Sequence, residues 1–269
     1  MLEINRVYNE DCLGDKGLCL IADNSVDMIL CDMPYGTTAC KWDTPLDLDE
    51  LWKQYKRIIK DNAAIVMTAS QPFTTALISS NMRMFKYCWV WVKNCATNFP
   101  NAKRRPLTAH EDIIVWMNST LRYNPQKTYG HKPTNSAVGA SQGTIYHGDK
   151  IRNYMGGDTD RFPLTVLEFA CERGLHPTQK PVDLFEYLIM TYTNSGDTVL
   201  DNCAGSGTTP VACIRTDRNF IGFEWCPEEP HDLYYNIACQ RIKDEQAQTR
   251  IVFPDTPKPE QTNLFEATK

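Results

Sequence analysis

Two short apolar segments, each ending at an acidic residue and a tight turn, constrain the fold of this chain more than any other feature. Val26–Cys31 (VDMILC) is followed at once by DMPYG (residues 32–36), and Thr198–Asp201 is followed by NCAGSGTT (residues 202–209). A short apolar run bounded by turn residues predicts a buried β-strand. In an open α/β sheet, ligands bind beyond the carboxyl ends of such strands, so both turns are candidate sites.

Hydrophobic periodicity predicts strands and helices in alternation along most of the chain. The further predicted strands are Ala63–Thr68, Lys86–Val92, Glu111–Met117 and Asn219–Glu224. The predicted helices are Leu46–Lys60, Pro181–Thr193, Thr208–Arg215 and Tyr234–Gln246. This alternation predicts an α/β fold, with a parallel sheet that carries helices on both faces.

The stretch over residues 94–162 interrupts the alternation, because it is polar and rich in Gly, Asn and Pro. Long loops in a compact domain usually carry function. We therefore expect one domain over residues 1–248, with residues 94–162 inserted into it. Residues 249–269 hold few apolar side chains, and we expect them to form a flexible tail.

Basic residues are concentrated in the inserted stretch, although the whole chain has a net charge of −5. Between Lys93 and Arg161 there are ten Lys and Arg residues against five Asp and Glu. Such a segment is either a surface for a polyanion or a solvated polar loop, and charge alone leaves both alternatives open.

Other features argue against several protein classes. The eleven cysteines are odd in number and form no C-x-x-C pair, which disfavours a disulfide framework and a cysteine zinc site. We expect no metal. The apolar runs are far shorter than the ~20 residues of a membrane-spanning helix, and no signal peptide is visible. We therefore expect a cytoplasmic protein with reduced thiols and no membrane contact.

Residues 32–36 combine groups that suit an exocyclic amine on a planar ring. Asp32 and a backbone carbonyl of the turn can accept the two amine hydrogens, and Tyr35 can stack on the ring. The alternative is an Asx-Pro turn with a tyrosine packed beside it.

The glycine turn and a following acid form a second candidate. Gly205 and Gly207 allow close approach of a ligand to the backbone, and the helix that follows offers free N–H groups to a carboxylate. Glu224 ends a strand about 20 residues further on, where an acid can bind ribose hydroxyls. The alternative for Glu224 is a surface acid at a strand end.

The sequence HPTQKP (residues 176–181) opens the helix before the glycine turn. His176, Thr178 and Lys180 can form a site for a carboxylate or phosphate near a helix start. The alternative is a helix cap with an early proline.

Taken together and in this order, the three motifs resemble those of the β group of DNA amino-methyltransferases. In that group a D-P-P-Y motif comes first, then the target-recognition region, then H-P-T-Q-K-P, and finally the F-x-G-x-G cofactor turn. The flanking strings NAKRRPLTAHEDIIV and NFIGFE also fit, and the resemblance extends from about Val7 to Ile242. There are departures: Met33 replaces a proline, NCA replaces P-F-A at residues 202–204, and Trp225-Cys226 stands where an apolar residue and Asp are common.

The resemblance implies a Rossmann-like class I methyltransferase fold with circularly ordered motifs, which uses S-adenosylmethionine (AdoMet). It implies methylation of adenine N6 in a specific duplex DNA sequence after base flipping, with Asp32, Pro34 and Tyr35 as catalytic residues. An acid at position 32 favours adenine, but N4-cytosine methylation remains an alternative. A non-catalytic module that binds AdoMet and DNA is the alternative from another class.

The resemblance also implies two sets of binding residues. The cofactor set is Asp11, Cys12, Asp32, His176, Thr178, Lys180, Asp201, Ala204, Gly205, Gly207 and Glu224. The DNA-binding set is Lys103, Arg104, Arg105, Arg122, Lys127, Lys132, Lys150 and Arg152.

Two further partners are expected. Relatives in this group often form dimers, so a homodimer is one expectation. The tail segment QTNLF (residues 261–265) resembles the pentapeptide by which bacterial replication proteins bind the sliding clamp. Gln261, Leu264 and Phe265 would then be its anchors, although five residues can also match by chance.

Overall fold

The computed structural model describes residues 2–36, 43–119, 122–133, 157–172, 174, 179–226 and 232–248. These residues belong to two compact units. The larger contains the chain up to Asn124 and again from Thr165, and the smaller lies within Pro125–Leu164. Residues 94–124, the first part of the stretch that we interpreted as an insertion, therefore belong to the larger unit.

The larger unit contains one mixed sheet. Its strands, over the described residues, are β1 (Arg6–Tyr8), β2 (Val26–Cys31), β3 (Ile59–Ala69), β4 (Phe85–Thr97), β5 (Thr108–Met117), β6 (Val166–Phe169), β7 (Thr198–Asp201) and β8 (Asn219–Phe223). Their order across the sheet is β1-β8-β7-β2-β3-β5-β4-β6. The helices are α1 (Leu48–Ile58), α2 (Phe73–Ser80), α3 (Val182–Tyr192), α4 (Thr208–Arg215) and α5 (Leu233–Ala247).

Each strand and helix that the periodicity predicts is present, but two bounds are wrong: β3 already begins at Ile59, within the predicted helix, and β4 continues to Thr97. Three elements were missed: β1, α2 and β6. The two strands have only three and four residues, too few for an alternating pattern to be recognised. The helix α2 (FTTALISS) is rich in Thr and Ser, which have modest helix propensity.

The sheet is parallel as predicted except at β5, which pairs antiparallel with both β3 and β4. Residues 98–107 connect β4 directly to β5, and a parallel pair would instead need a longer crossover. The other strand pairs are parallel, so β4 runs in the same direction as β2 and β3.

Helices cover both faces of the sheet, as predicted. Side chains alternate along β2, so that Met28 and Leu30 pack in one apolar cluster with residues of α3, α4 and α5. Ile29 and Cys31 pack in a second cluster with residues of α1 and α2. The strand is buried throughout because both of its faces are covered.

The pairing of β2 with β7 determines where a site can form. Met28 lies opposite Val199 and Ile29 opposite Leu200, so the two strands end side by side. The DMPYG turn and the glycine turn therefore open at the same edge of the sheet, although about 170 residues separate them in the chain.

The smaller unit is held by local polar contacts. Thr128 and Arg161 exchange backbone hydrogen bonds of 3.1 and 2.9 Å. The ammonium of Lys127 lies 2.6 Å from a carboxylate oxygen of Asp160 and 4.4 Å from the ring centre of Phe162.

No helix of the described residues is long and apolar enough to cross a bilayer. No group of three His, Cys, Asp or Glu side chains in the same residues is arranged to hold a metal ion.

Gly207 begins α4 with φ at +83°, and a Cβ there would lie 3.0 Å from Cα of Ala238 in α5. Gly196 has nearly the same φ, +82°, but a Cβ there would meet nothing within 4 Å. We expect Gly196→Ala to lower the free energy of unfolding by about 1–2 kcal/mol through backbone strain alone. Gly207→Ala should lower it by a further ~1–3 kcal/mol, because α4 and α5 must also separate.

Urea denaturation of the two variants measures this difference directly. Equal losses at the two glycines would contradict the close contact between α4 and α5.

Candidate active site

A cavity of about 330 Å³ opens at the carboxyl ends of β2, β7 and β8. All three motifs contribute to its wall. The lining residues include Asp11, Cys12, Asp32, Met33, Pro34, Tyr35, Gln179, Lys180, Asp201, Asn202, Cys203, Ala204, Gly205, Ser206 and Glu224. Most of the expected cofactor residues that the structure describes therefore surround one space, with Gly207 as the exception.

Three side chains fix the carboxylate of Asp32. The hydroxyl of Tyr35 donates to Oδ1 at 2.9 Å, and the hydroxyl of Thr68 in β3 donates to the same oxygen. The ammonium of Lys180 donates to Oδ2 at 2.7 Å. The carboxylate is thus held in one orientation, with a counter-ion in contact.

The ion pair is part of a longer chain of alternating charges. Lys180 also lies 3.3 Å from Glu111 in β5, and Glu111 lies 2.9 Å from Lys93 in β4. The side chains of Lys180 and Lys93 are only 6% and 7% exposed. Buried charges are tolerated when they are paired, so each member of this chain depends on its neighbours.

The protonation equilibria reflect this chain. Burial opposes the charged form of Glu111, but the charges of Lys180 and Lys93 outweigh it and hold the pKa of Glu111 below its usual value. Burial likewise opposes the charged form of Lys180, and the carboxylates of Asp32 and Glu111 outweigh it and raise the pKa of Lys180. Glu111 and Lys180 therefore both stay ionised at neutral pH.

The ring of Tyr35 stacks on Phe73, with ring centres 5.3 Å apart and planes inclined by 22°. The ammonium of Lys180 lies 5.7 Å from the centre of the Tyr35 ring. Burial, and then the charge of Asp32, raise the pKa of Tyr35 well above its usual value, so the phenol stays a proton donor. Phe73 begins α2, the helix that the sequence patterns missed.

The glycine turn presents backbone to the cavity. Gly205 has φ at +54°, and a Cβ there would meet nothing within 4 Å. Its N–H donates to Oε2 of Glu224 at 2.7 Å. Gly207 does not line the cavity, since its Cα faces α5. The two glycines of the motif thus serve different purposes, one at the site and one in packing.

Two acids of the wall have raised pKa values. Burial raises the pKa of Asp201 to about 7, although Thr209 and the N–H of Cys203 donate to its carboxylate. Burial also raises the pKa of Glu224 to about 7, against the hydrogen bond from Gly205. Both acids are thus close to half-ionised near neutral pH.

Asn202 and Cys203, which depart from the family pattern, have partners in the core. The hydroxyl of Tyr55 donates to Oδ1 of Asn202, and Nδ2 of Asn202 lies 3.6 Å from the sulfurs of Cys12 and Cys203. Burial raises the pKa of Cys12 to about 12. This thiol therefore stays protonated and is a poor nucleophile.

The described part of the third motif lies at the cavity. Lys180 lines it and contacts Asp32 and Glu111, which leaves one of the three N–H donors of its ammonium for a further acceptor. Gln179 lines the cavity, and its Oε1 is buried with no hydrogen-bond partner among the described residues. His176 and Thr178 lie outside those residues.

The sequence patterns missed Thr68, Phe73, Lys93 and Glu111. The signal in the sequence was weak: Glu111 and Asp112 are charged residues at the start of a predicted strand (EDIIVWM). An acid at the end of a buried strand indicates that a side chain pairs with it, but the sequence does not show which side chain.

Two groups of the expected DNA-binding residues lie in different places. Lys103, Arg104 and Arg105 are exposed in the β4–β5 connection, at the same edge of the sheet as Asp32. Arg122 bonds to Asp197 and lies 3.9 Å from Asp27, at the opposite edge where β7 and β2 begin. We correct the expectation for Arg122, because its charge is neutralised far from the cavity.

The other four expected DNA-binding residues either belong to the smaller unit or are not among the described residues. Lys127 is paired with Asp160 in the smaller unit, and Lys132 is exposed there. Lys150 and Arg152 are not among the described residues.

Comparison with known proteins finds a family. A family model for N6 and N4 enzymes, described as "DNA methylase", matches residues 26–232. The Type II methyltransferase M.HindIII of Haemophilus influenzae is 40% identical, over 90% of this chain and 96% of that protein. The DNA adenine methyltransferase YhdJ of Escherichia coli is 26% identical, over 82% of this chain and 79% of that protein.

Solved structures give the same architecture. The M1.HpyAVI–SAM complex is 26% identical with a TM-score of 0.57, over 88% of this chain and 98% of that one. The cytosine-N4-specific PvuII DNA methyltransferase has a TM-score of 0.61, over 89% of this chain and 90% of that one. At 15% identity, the PvuII enzyme shows the shared fold alone.

The raised pKa of Asp201 predicts a pH-dependent stability. Between its usual range and about 7 the folded protein keeps a proton that the unfolded chain has lost, so stability falls as pH rises through this window. The wild-type protein should therefore lose unfolding free energy between about pH 4 and about pH 7, and Asp201→Asn should lose less. The difference should be about 1.4 kcal/mol for each unit by which the pKa of Asp201 is higher in the folded than in the unfolded chain.

Urea denaturation across that pH range measures the slope, and Glu224→Gln should reduce it in the same direction. An unchanged slope in both variants would contradict the raised pKa values.

Proposed function

Because this chain belongs to the N6/N4 DNA methylase family, we propose that it methylates N6 of adenine in a specific duplex DNA sequence, with AdoMet as the methyl donor. The observation that carries the proposal is the carboxylate of Asp32. It is paired with a lysine, oriented by three donors and exposed to the cavity, as an acceptor for an exocyclic amine must be.

The cavity wall fits AdoMet. The space over Gly205 is open, so the ligand can approach its backbone. Glu224 is an acceptor for ribose hydroxyls, and the unpartnered Oε1 of Gln179 is an acceptor for an ammonium group. When bound, AdoMet supplies an electrophilic methyl group on a sulfonium. We include Asp11, Cys12, Asp201 and Ala204 in this wall, with His176 and Thr178 from outside the described residues.

Asp32 makes the amine nucleophilic. The N6 lone pair of adenine is delocalised into the ring, and hydrogen bonds from N6 to Asp32 and to a carbonyl near Pro34 favour a tetrahedral nitrogen. Each carboxylate oxygen can accept more than one hydrogen bond, so Asp32 retains capacity beyond its three present donors. Orientation and electrostatic placement then account for most of the rate, and no covalent enzyme intermediate is needed.

A base inside a duplex cannot reach this cavity, so the target base must leave the stack. Phe73 supports one side of Tyr35. One face of the Tyr35 ring thus packs on Phe73, and an extruded base can stack on the other face. The hydroxyl of Tyr35 remains bound to Asp32.

Phosphate contacts come from the exposed cations at the same edge. Lys103, Arg104 and Arg105 are the best placed, and Lys127 and Lys132 are further candidates from the smaller unit. Such contacts position the duplex and make its binding salt-dependent.

Methyl incorporation from labelled AdoMet, followed by mass analysis of the nucleosides, tests the proposal. We expect N6-methyladenine, and a loss of about 100-fold or more in Asp32→Ala, because the amine acceptor is removed. Asp15→Ala, an exposed acid outside the cavity, should keep wild-type activity.

The outcomes separate the alternatives. N4-methylcytosine would identify a cytosine enzyme with the same fold. Binding of AdoMet and DNA without any turnover would identify a non-catalytic module. An active Asp32→Ala would contradict the assigned role of the carboxylate.

The affinity for AdoMet should depend on pH through Glu224. With a pKa of about 7 this acid gains charge as pH rises, and a charged carboxylate accepts ribose hydrogen bonds more strongly. We expect calorimetric titration to show binding that tightens by up to about tenfold from about pH 6 to about pH 8. A Glu224→Gln variant with the same pH dependence would exclude this acid as the cause.

We retain the sliding clamp as a proposed partner of the tail, whose residues Gln261, Leu264 and Phe265 lie outside the described part. A labelled peptide of residues 256–269 should bind a bacterial clamp saturably. The same peptide with Leu264→Ala and Phe265→Ala should not, and equal binding of both peptides would reject the motif.

A further inference from the structure

The connection between β4 and β5 projects from the sheet at the edge where the cavity opens. Cys31, next to Asp32, is level with Met67 of β3, and Met67 is level with Ile114 of β5. From Ile114, β5 extends back to Thr108, which at ~3.3 Å per residue places this end of β5 about 16 Å beyond the level of Asp32. With strands about 4.8 Å apart, β5 lies about 10 Å to the side.

This projecting arm, residues 94–108, is braced at its base and ordered at its tip. Asn94 accepts a hydrogen bond of 2.9 Å from the N–H of Cys171, just after β6. At the tip Asn98 has φ at +72°, and its carbonyl accepts from the N–H of Asn101 at 3.0 Å. The side chain of Asn101 donates to that of Asn98 at 2.8 Å.

The tip combines one exposed aromatic ring with unneutralised positive charge. Phe99 is 64% exposed, and no ring of the described residues stacks on it. Lys103, Arg104 and Arg105 follow within six residues, each exposed and without an ion pair to any described acid. The braced arm therefore presents an aromatic ring and three cations together at the edge of the sheet where the cavity opens.

We propose that Phe99 is a wedge that inserts into duplex DNA when the target base is extruded, while the three cations at the tip bind the adjacent phosphates. The proposal rests on the DNA-methylating function. Apolar side chains inserted between base steps partly unstack them, and an extruded base leaves a gap that such a side chain can fill. A two-stranded ribbon is also of a size that the major groove admits.

The test uses the recognition duplex, identified by sequencing that reports modified bases after expression in a methylation-free host. Phe99→Ala should lower kcat/KM on this duplex by tenfold or more. On the same duplex with an abasic site opposite the target base, where extrusion breaks no base pair, the loss should be less than threefold. Phe99→Trp should retain activity on both.

Met82→Ala is the matched control, because Met82 is 59% exposed and lies just before β4, at the other edge of the sheet. It should stay within twofold of wild type on both duplexes, and AdoMet affinity should be unchanged in all variants. Equal losses of Phe99→Ala on the two duplexes would overturn the wedge, and so would full activity on the paired duplex. Failure of the wild-type protein to methylate any duplex would instead reject the proposed function.

Discussion

The contact between Lys180 and Asp32 links the sheet to the chemistry of the site. Asp32 follows β2, Lys180 precedes α3, and the chain of charges continues through Glu111 in β5 to Lys93 in β4. Removing one partner of such a pair leaves a buried charge uncompensated, at a cost of about 3–5 kcal/mol. β4 and β5 are therefore coupled electrostatically to Asp32, the proposed acceptor of the target amine.

The same contact sets a requirement for substrate binding. Lys180 occupies Oδ2 of Asp32, while Tyr35 and Thr68 occupy Oδ1, so an amine bound as we propose would share these oxygens or displace a donor. Because Glu111 remains beside Lys180, the lysine has a second carboxylate that retains it if it moves from Asp32. The arrangement gives Asp32 a counter-ion without blocking it permanently.

The fold could be predicted from the sequence where periodicity was strong. Thr198–Asp201 and Thr208–Arg215 have the predicted bounds, and the two motif turns share one edge because β2 and β7 are neighbours. What failed depends on non-local information. The position of β5 between β3 and β4, and hence the contact of Glu111 with Lys180, is a matter of strand order, which no local pattern encodes.

The sequence predicted which residues line the cavity better than it predicted which side chains they contact. Asp32, Asp201, Gly205 and Glu224 surround one cavity, because each follows or ends a strand at the same edge. Arg122 was assigned to DNA from its place in the basic stretch, and its acidic neighbours Asp27 and Asp197 lie at the starts of two strands that are distant in the chain. Charge in a sequence identifies candidates, but the strand order decides which of them face the substrate.

The most direct test is a crystal structure of the protein with its recognition duplex and an unreactive analogue of AdoMet. The account predicts an extruded adenine against Tyr35, with N6 about 3 Å from a carboxylate oxygen of Asp32. A target base that stays stacked in the duplex, or an amine bound away from Asp32 while the analogue occupies the cavity, would contradict it.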